Sequence, residues 1–159
     1  MKFTVLAIGK LKEQYLRDGV AEFVKRLRVY GGVTITELSE SKMSGSGDRT
    51  ARLQAVNDEG ERLLKGVSNH AYVVLLDVYG KTTSSEALAA RIAELEVSGI
   101  SEMVFIIGGA FGVSEELRKR ADWRLSFSPM TFTHQMVRLL LVEQIYRACK
   151  INRNEPYHW

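Results

Sequence analysis

Short apolar runs alternate along this chain with longer segments in which apolar residues recur every three or four positions. Residues 5–8, 72–76 and 103–107 are apolar runs of strand length. Residues from about 11 to 30 instead place apolar side chains at helical spacing and are followed by two glycines, which end helices readily. This alternation predicts an α/β fold with about five mostly parallel strands, and with helices on both faces of the sheet.

The remaining segments are consistent with this architecture. Residues 33–38 alternate between apolar and polar side chains, which predicts a strand nearer an edge of the sheet. Thr83 and Glu86 have the spacing of a capping box, which predicts the start of a helix near Thr83. The other expected elements are a flexible Ser/Gly-rich loop over 39–47, a helix to about residue 64 with Leu53, Val56, Leu63 and Leu64 facing inward, a short helix opening at Ser114, a strand over 125–127, a helix over 133–150 and an irregular tail over 152–159.

Composition narrows the class of protein. The chain has 159 residues, 45% of them apolar and 26% charged, which is typical of one globular domain and predicts a single domain over 1–159. The only cysteine is Cys149 and there are three histidines, so we expect no disulfide and no structural zinc site. The first apolar stretch is shorter than a signal-peptide core, and no apolar stretch has the length of a membrane span; we therefore expect a cytoplasmic location.

Ligands of open α/β sheets bind beyond the carboxyl ends of the strands. The loops to search are therefore 77–81, 108–112 and 128–131. Gly80-Lys81-Thr82 is not a phosphate-binding P-loop, because the glycine required five positions earlier is replaced by Leu75. The glycines of 108–112 do not have dinucleotide-binding spacing either. Gly108-Gly109 indicates either a sharp turn or a place where a ligand touches the backbone.

The segment from strand five into the last helix is the most unusual part of the sequence. Phe127, Met130 and Phe132 are apolar in a loop at the sheet's end, so they either pack under a helix or line a pocket. The last helix is apolar almost all round, which predicts burial by its own domain or a self-association face. The tail after it is rich in aromatic residues, which favours docking over fraying.

Taken together, these motifs resemble the RlmH family of the SPOUT superfamily, the bacterial N3-methyltransferases that act on a pseudouridine of 23S ribosomal RNA. The resemblance covers essentially the whole chain. It is carried by the runs Ala7-Ile8-Gly9-Lys10, Leu75-Leu76-Asp77, Phe105-Ile106-Ile107-Gly108-Gly109-Ala110-Phe111-Gly112, the segment 131–148 and the ending Pro156-Tyr157-His158.

The resemblance implies a C-terminal trefoil knot, the cofactor S-adenosyl-L-methionine, a homodimer and a 23S rRNA substrate within the ribosome, with no metal and no membrane. The cofactor-binding positions it implies are Leu76, Gly108, Phe127, Ser128, Pro129, Met130, Thr131 and Phe132. The candidate catalytic positions are His134, Arg138, Glu143, Arg147, Tyr157 and His158. A His or Glu would take a proton from N3, and Arg138 would hold phosphate or the base.

Two other classes of function remain open at this point. One is a nucleotide-binding or redox domain of the flavodoxin or Rossmann kind, although the glycine spacing and the missing ribose-binding acid count against it. The other is a non-catalytic RNA-binding or ribosome-assembly module. Cofactor binding discriminates between these classes, because only a methyltransferase needs S-adenosylmethionine.

Overall fold

The computed structural model describes residues 1–43 and 47–159 and contains one parallel sheet. Its elements are β1 (Lys2–Ile8), α1 (Gln14–Leu27) with a 3₁₀ turn (Arg28–Tyr30), β2 (Val33–Leu38), α2 (Arg49–Lys65), β3 (Tyr72–Thr82), α3 (Ser85–Val97), β4 (Glu102–Ile107), α4 (Glu115–Arg120), β5 (Trp123–Ser126) and α5 (His134–Asn152). The strand order is β2-β1-β4-β3-β5, and every neighbouring pair is parallel. The α/β prediction is confirmed, and so is the edge position of β2.

Each strand buries alternate side chains on opposite faces of the sheet. Val74 and Phe105 belong to an apolar cluster shared with α1, α3 and α5. Val73, Leu75 and Val104 belong to a second cluster that includes side chains of α2 and α4. Both faces of the sheet are therefore covered, as a central parallel sheet requires.

The last helix lies between α1 and α3 on one face of the sheet. Its N-cap is Thr133, whose hydroxyl accepts a hydrogen bond from the backbone N–H of Met136 at 3.2 Å. Leu141 and Ile145 are fully buried. Gly19 allows α1 to approach closely, because a Cβ there would lie 2.9 Å from Leu139 Cδ1. The chain's own fold thus covers much of α5, and a self-association face stays a prediction.

Strand β3 is longer than predicted and makes a detour at its end. Leu125 of β5 pairs with Leu76 and again with Lys81, so residues 77–80 are looped out of the ladder. Gly80 is required there, because a Cβ would lie 2.5 Å from the backbone oxygen of Arg124. The detour places Asp77 at the sheet's carboxyl edge, where the sequence predicted a simple loop.

Two local predictions are wrong, each for a physical reason. Leu53 is 58% exposed, because α2 packs through a stripe that runs along Ala55 and Leu63. The N-cap of α3 is Ser84 and not Thr83, because β3 keeps the chain extended through Thr82. The predicted flexible loop 39–47 includes residues 44–46, which lie outside the described residues.

None of the described helices is both long enough and apolar enough to cross a membrane. Within residues 1–43 and 47–159, no cluster of three or more His, Cys, Asp or Glu side chains has an arrangement that would hold a metal ion. The trefoil knot stays a prediction.

Candidate active site

The carboxyl ends of β3, β4 and β5 open into one cavity of about 680 Å³. Strand β3 lies between β4 and β5 in the sheet, which brings the three predicted loops together. The first turn of α5 and the start of α1 close the cavity from the side, and Tyr15, Leu16, His134 and Val137 lie on its wall. Such a concave site at strand ends is where ligands of α/β sheets bind.

The structure brings seven of the eight predicted cofactor positions onto this wall. Lining residues include Leu76, Gly108, Phe127, Ser128, Met130, Thr131 and Phe132. Pro129 lies within the same segment but does not line the cavity. The sheet rule and the resemblance therefore select one place in the fold, although the role of each residue stays a prediction.

The exposed side chains of the 127–132 segment favour the pocket alternative over core packing. Met130 is 73% exposed and Phe132 is 41% exposed, and both line the cavity. The segment is held by its own serines. The Ser126 hydroxyl donates to the Ser128 carbonyl at 3.0 Å, and the Ser128 hydroxyl accepts from the Met130 N–H at 3.0 Å. Apolar side chains are thus kept at the cavity mouth by polar contacts in the loop.

The glycine segment after β4 is a tight turn that also forms cavity wall. A Cβ on Gly108 would lie 2.6 Å from Val113 Cγ1 and 3.0 Å from the carbonyl oxygen of Gly112. Gly112 has φ = 97°, a value that favours glycine, and its N–H donates to the Gly109 carbonyl at 3.2 Å. The turn requires glycine for its own closure, and Gly108, Gly109 and Gly112 all line the cavity. Both alternatives for this segment therefore fit the geometry.

A buried carboxylate that the sequence prediction missed lies at the cavity edge. Asp77 is 8% exposed and accepts hydrogen bonds from Arg124 Nη2 at 2.7 Å and Nε at 3.0 Å. The N–H of Tyr79 donates to its other oxygen at 3.0 Å. Burial alone would raise the pKa of Asp77, but these hydrogen bonds outweigh it and the pKa lies below its usual value. Its position directly after an apolar strand was the available signal.

Two of the six predicted catalytic residues, His134 and Arg138, lie near the cavity, at the start of α5. Arg138 is 1% exposed; its Nη1 donates to Glu37 Oε2 at 2.7 Å and its Nη2 to the Ile8 carbonyl at 2.9 Å. The guanidinium is enclosed by protein, and the expected role of Arg138 in holding phosphate or the base stays a prediction. Burial lowers the pKa of Arg138, and Glu37 opposes this effect.

His134 is on the cavity wall and is the more accessible of the pair. Its Nε2 lies 4.0 Å from Glu40 Oε1. Burial lowers the pKa of His134 below the usual value, and the positive charge of Arg138 lowers it further. The imidazole is consequently neutral at pH 7, with one ring nitrogen able to accept a proton.

The other four predicted catalytic residues form a second cluster farther along α5. Glu143 Oε1 accepts hydrogen bonds from Arg147 and from the Tyr157 hydroxyl, the latter at 2.9 Å. Arg147 Nη1 lies 3.2 Å from His158 Nδ1, and its guanidinium stacks 4.7 Å from the Tyr157 ring centre. His158 Nε2 in turn lies 2.8 Å from Glu86 Oε1 on α3. The tail is therefore docked on its own helix, as its aromatic content predicted.

The two clusters are separate within one chain. Glu143 lies nine positions after His134 on the same helix, a rise of about 13 Å. None of Glu143, Arg147, Tyr157 and His158 lines the cavity. One copy of the chain does not bring the six candidates to one place.

Comparisons with known proteins show the family to which the chain belongs. Residues 1–158 match the family described as "Predicted SPOUT methyltransferase". Proteins named ribosomal RNA large subunit methyltransferase H are 47% identical in Halothermothrix orenii and 46% identical in Alkaliphilus oremlandii, each over 158 residues and 99% of both chains. A Legionella pneumophila methyltransferase solved with the cofactor SAM is a distant structural match. Its TM-score is 0.48 at 14% identity, over 92% of this chain and 66% of the other.

The match over nearly the full length, at identities well above 30%, establishes the relationship independently of the distant structural match. The chain belongs to the SPOUT methyltransferase family and, within it, to the ribosomal RNA large subunit methyltransferase H family.

Proposed function

We propose that this protein transfers a methyl group from S-adenosylmethionine to N3 of a pseudouridine in 23S rRNA, in the assembled ribosome. The observation that carries the proposal is the cavity at the ends of β3, β4 and β5, which seven of the eight expected cofactor positions line. The relatives' name supplies the substrate class, large-subunit ribosomal RNA. The proposal treats residues 1–159 as one cytoplasmic domain with a C-terminal knot.

The cavity fits an adenosyl ligand in size and in lining. Its volume of about 680 Å³ lies within the range of small-molecule sites. Leu76, Phe127 and Met130 line the cavity and offer apolar surface for a flat heterocycle. Bound there, the cofactor would supply an electrophilic methyl group on a sulfonium. The chain's own residues would position the base and handle the proton.

His134 is the best candidate for the proton acceptor. It lies on the cavity wall, and its lowered pKa keeps the imidazole neutral at pH 7. Transfer to N3 requires loss of the N3 proton, so a neutral imidazole beside the base would accept it. Arg138, joined to Glu37 and to the Ile8 carbonyl, would act by holding α5 and the His134 backbone in place. Arg138 is thus a positioning residue in this proposal.

Glu143 is a poor proton acceptor where it stands. Arg147 and Tyr157 occupy one of its carboxylate oxygens, and Gln144 Nε2 donates to the other at 2.9 Å. We assign this cluster instead to RNA binding and to closing the cavity of a second copy in a homodimer. The separation of the two clusters along α5 supports this division, because one copy alone leaves the tail away from the cavity.

The direct test is mass spectrometry of 23S rRNA from cells with and without the gene. We expect a single methyl group to be missing from one pseudouridine when the gene is deleted, and to return with the wild-type chain. A chain that lacks residues 157–159 should bind S-adenosylhomocysteine but fail to restore the methyl group. Unchanged rRNA after deletion would refute the proposed reaction. If the chain binds RNA but binds neither S-adenosylmethionine nor S-adenosylhomocysteine, the non-catalytic assembly module is favoured.

A further inference from the structure

Few charged side chains line the cavity, and they differ in how completely their hydrogen-bonding groups are paired. Four charged or titratable side chains other than tyrosine line it, namely Glu13, Asp77, Arg118 and His134. His134 is neutral at pH 7 for the reasons given above. Among the described residues, Arg118 is therefore the only lining side chain with a permanent positive charge.

Asp77 does not use Arg118 as its main partner. The two short hydrogen bonds to Asp77 Oδ2 come from Arg124, at 2.7 and 3.0 Å. Arg118 Nε lies 3.7 Å from the same oxygen, which is too far for a hydrogen bond. The buried carboxylate is compensated by Arg124, and Arg118 keeps most of its donors.

The remaining contact of Arg118 is easily exchanged. Its Nη1 donates to Glu115 Oε1, three residues earlier on α4, and the Glu115 side chain is 74% exposed. Exposed pairs of this kind contribute little free energy. The Arg118 backbone is well fixed, because its neighbour Leu117 is 1% exposed and Ser114 caps the helix. Arg118 thus has a fixed backbone and a guanidinium with spare donors at the wall of a partly enclosed site.

We infer that Arg118 binds the α-carboxylate of the methionine part of the cofactor. This inference rests on the proposed function, which places S-adenosylmethionine in the cavity. A carboxylate leaving water for a partly enclosed cavity needs charged donors, and a guanidinium matches its geometry. The carboxylate would replace Glu115 as the partner of Nη1.

The test compares two ligands that differ in this carboxylate. S-adenosylhomocysteine carries the amino-acid part, whereas 5′-methylthioadenosine lacks it. Isothermal titration calorimetry measures both with the wild-type chain, Arg118→Met and Lys119→Met. Lys119 is the matched control, because it carries the same charge on the same helix, is exposed and does not line the cavity.

Arg118→Met should weaken S-adenosylhomocysteine binding about 10- to 100-fold, the range expected for a charged hydrogen bond, and leave methylthioadenosine binding unchanged. Lys119→Met should change neither, and Arg118→Lys should recover part of the lost affinity. Equal weakening of both ligands would overturn the inference, since it would show a general effect on the cavity. Unchanged binding of both would also overturn it, and reduced RNA affinity in that variant would assign Arg118 to an RNA phosphate. Failure of the wild-type chain to bind either ligand would instead refute the proposed cofactor.

Discussion

The pair Glu37–Arg138 should respond very differently to removal of its two members. Arg138 is 1% exposed and its Nε has no hydrogen-bond partner among the described residues. Glu37 has a side chain that is 34% exposed, and it also accepts a hydrogen bond from the Leu11 N–H at 2.8 Å. The cation is therefore enclosed, whereas water can reach the anion. The variants to compare are Glu37→Ala and Arg138→Met.

The asymmetry of burial sets the expected free energies. Glu37→Ala leaves an enclosed guanidinium without its counter-charge, which costs about 3–5 kcal/mol in buried pairs. We expect the lower end, about 3 kcal/mol, because water reaches the side of the pair occupied by Glu37. Arg138→Met removes the buried charge, and the methionine occupies the space of the aliphatic part of the arginine side chain. The Ile8 carbonyl loses this donor, so we expect a loss of about 1–2 kcal/mol in the free energy of unfolding.

Urea unfolding followed by circular dichroism, at one fixed protein concentration, measures both free energies of unfolding. The exposed helical pair Glu22–Arg26 is the control, because its side chains are 49% and 42% exposed. Glu22→Ala should cost less than about 0.5 kcal/mol. The reasoning is wrong if Arg138→Met destabilises the protein as much as Glu37→Ala, or if neither variant differs from Glu22→Ala.

Three further predictions follow from single contacts. Gly108→Ala should weaken S-adenosylhomocysteine binding at least tenfold by calorimetry, since its Cβ would meet Val113 at 2.6 Å, whereas Ala110→Gly should change it little. Asp77→Asn should destabilise the protein at pH 7. The difference in free energy of unfolding between wild type and Asp77→Asn should shrink as the pH falls below about 3.9, the usual pKa of aspartate, and then through the lower pKa of Asp77 in the folded chain. A difference that does not change with pH would contradict the ion pairing of Asp77. Burial raises the pKa of Cys149 to about 11, so iodoacetamide at pH 8 should label it slowly in the folded chain and quickly in urea; equal rates would contradict this.

Local periodicity was sufficient to predict most of the secondary structure and the loops that line the cavity. Strands such as 103–107 are apolar on both faces, and this property depends only on neighbouring residues. The rule that ligands bind at strand ends then selected the three loops that do meet in the cavity. Strands that alternate with helices run parallel, so the loops that follow them lie at the same edge of the sheet.

Contacts between distant segments were not predictable in this way. Glu37 and Arg138 are 101 residues apart, and nothing in the local sequence of either indicates the other. The placement of Tyr157 and His158 beside Glu143 depends on where the tail docks, in part through His158 and Glu86, which are 72 residues apart. The detour after Leu76 likewise depends on its pairing with β5. In each case tertiary packing decided the outcome.

The central claim is that the cavity at the ends of β3, β4 and β5 holds the methyl donor. A crystal structure of the protein with S-adenosylhomocysteine tests it most directly. We predict ligand density in that cavity, in contact with Leu76, Gly108 and the 127–132 segment. A ligand bound elsewhere on the chain, with this cavity left open at saturating concentration, would contradict the account.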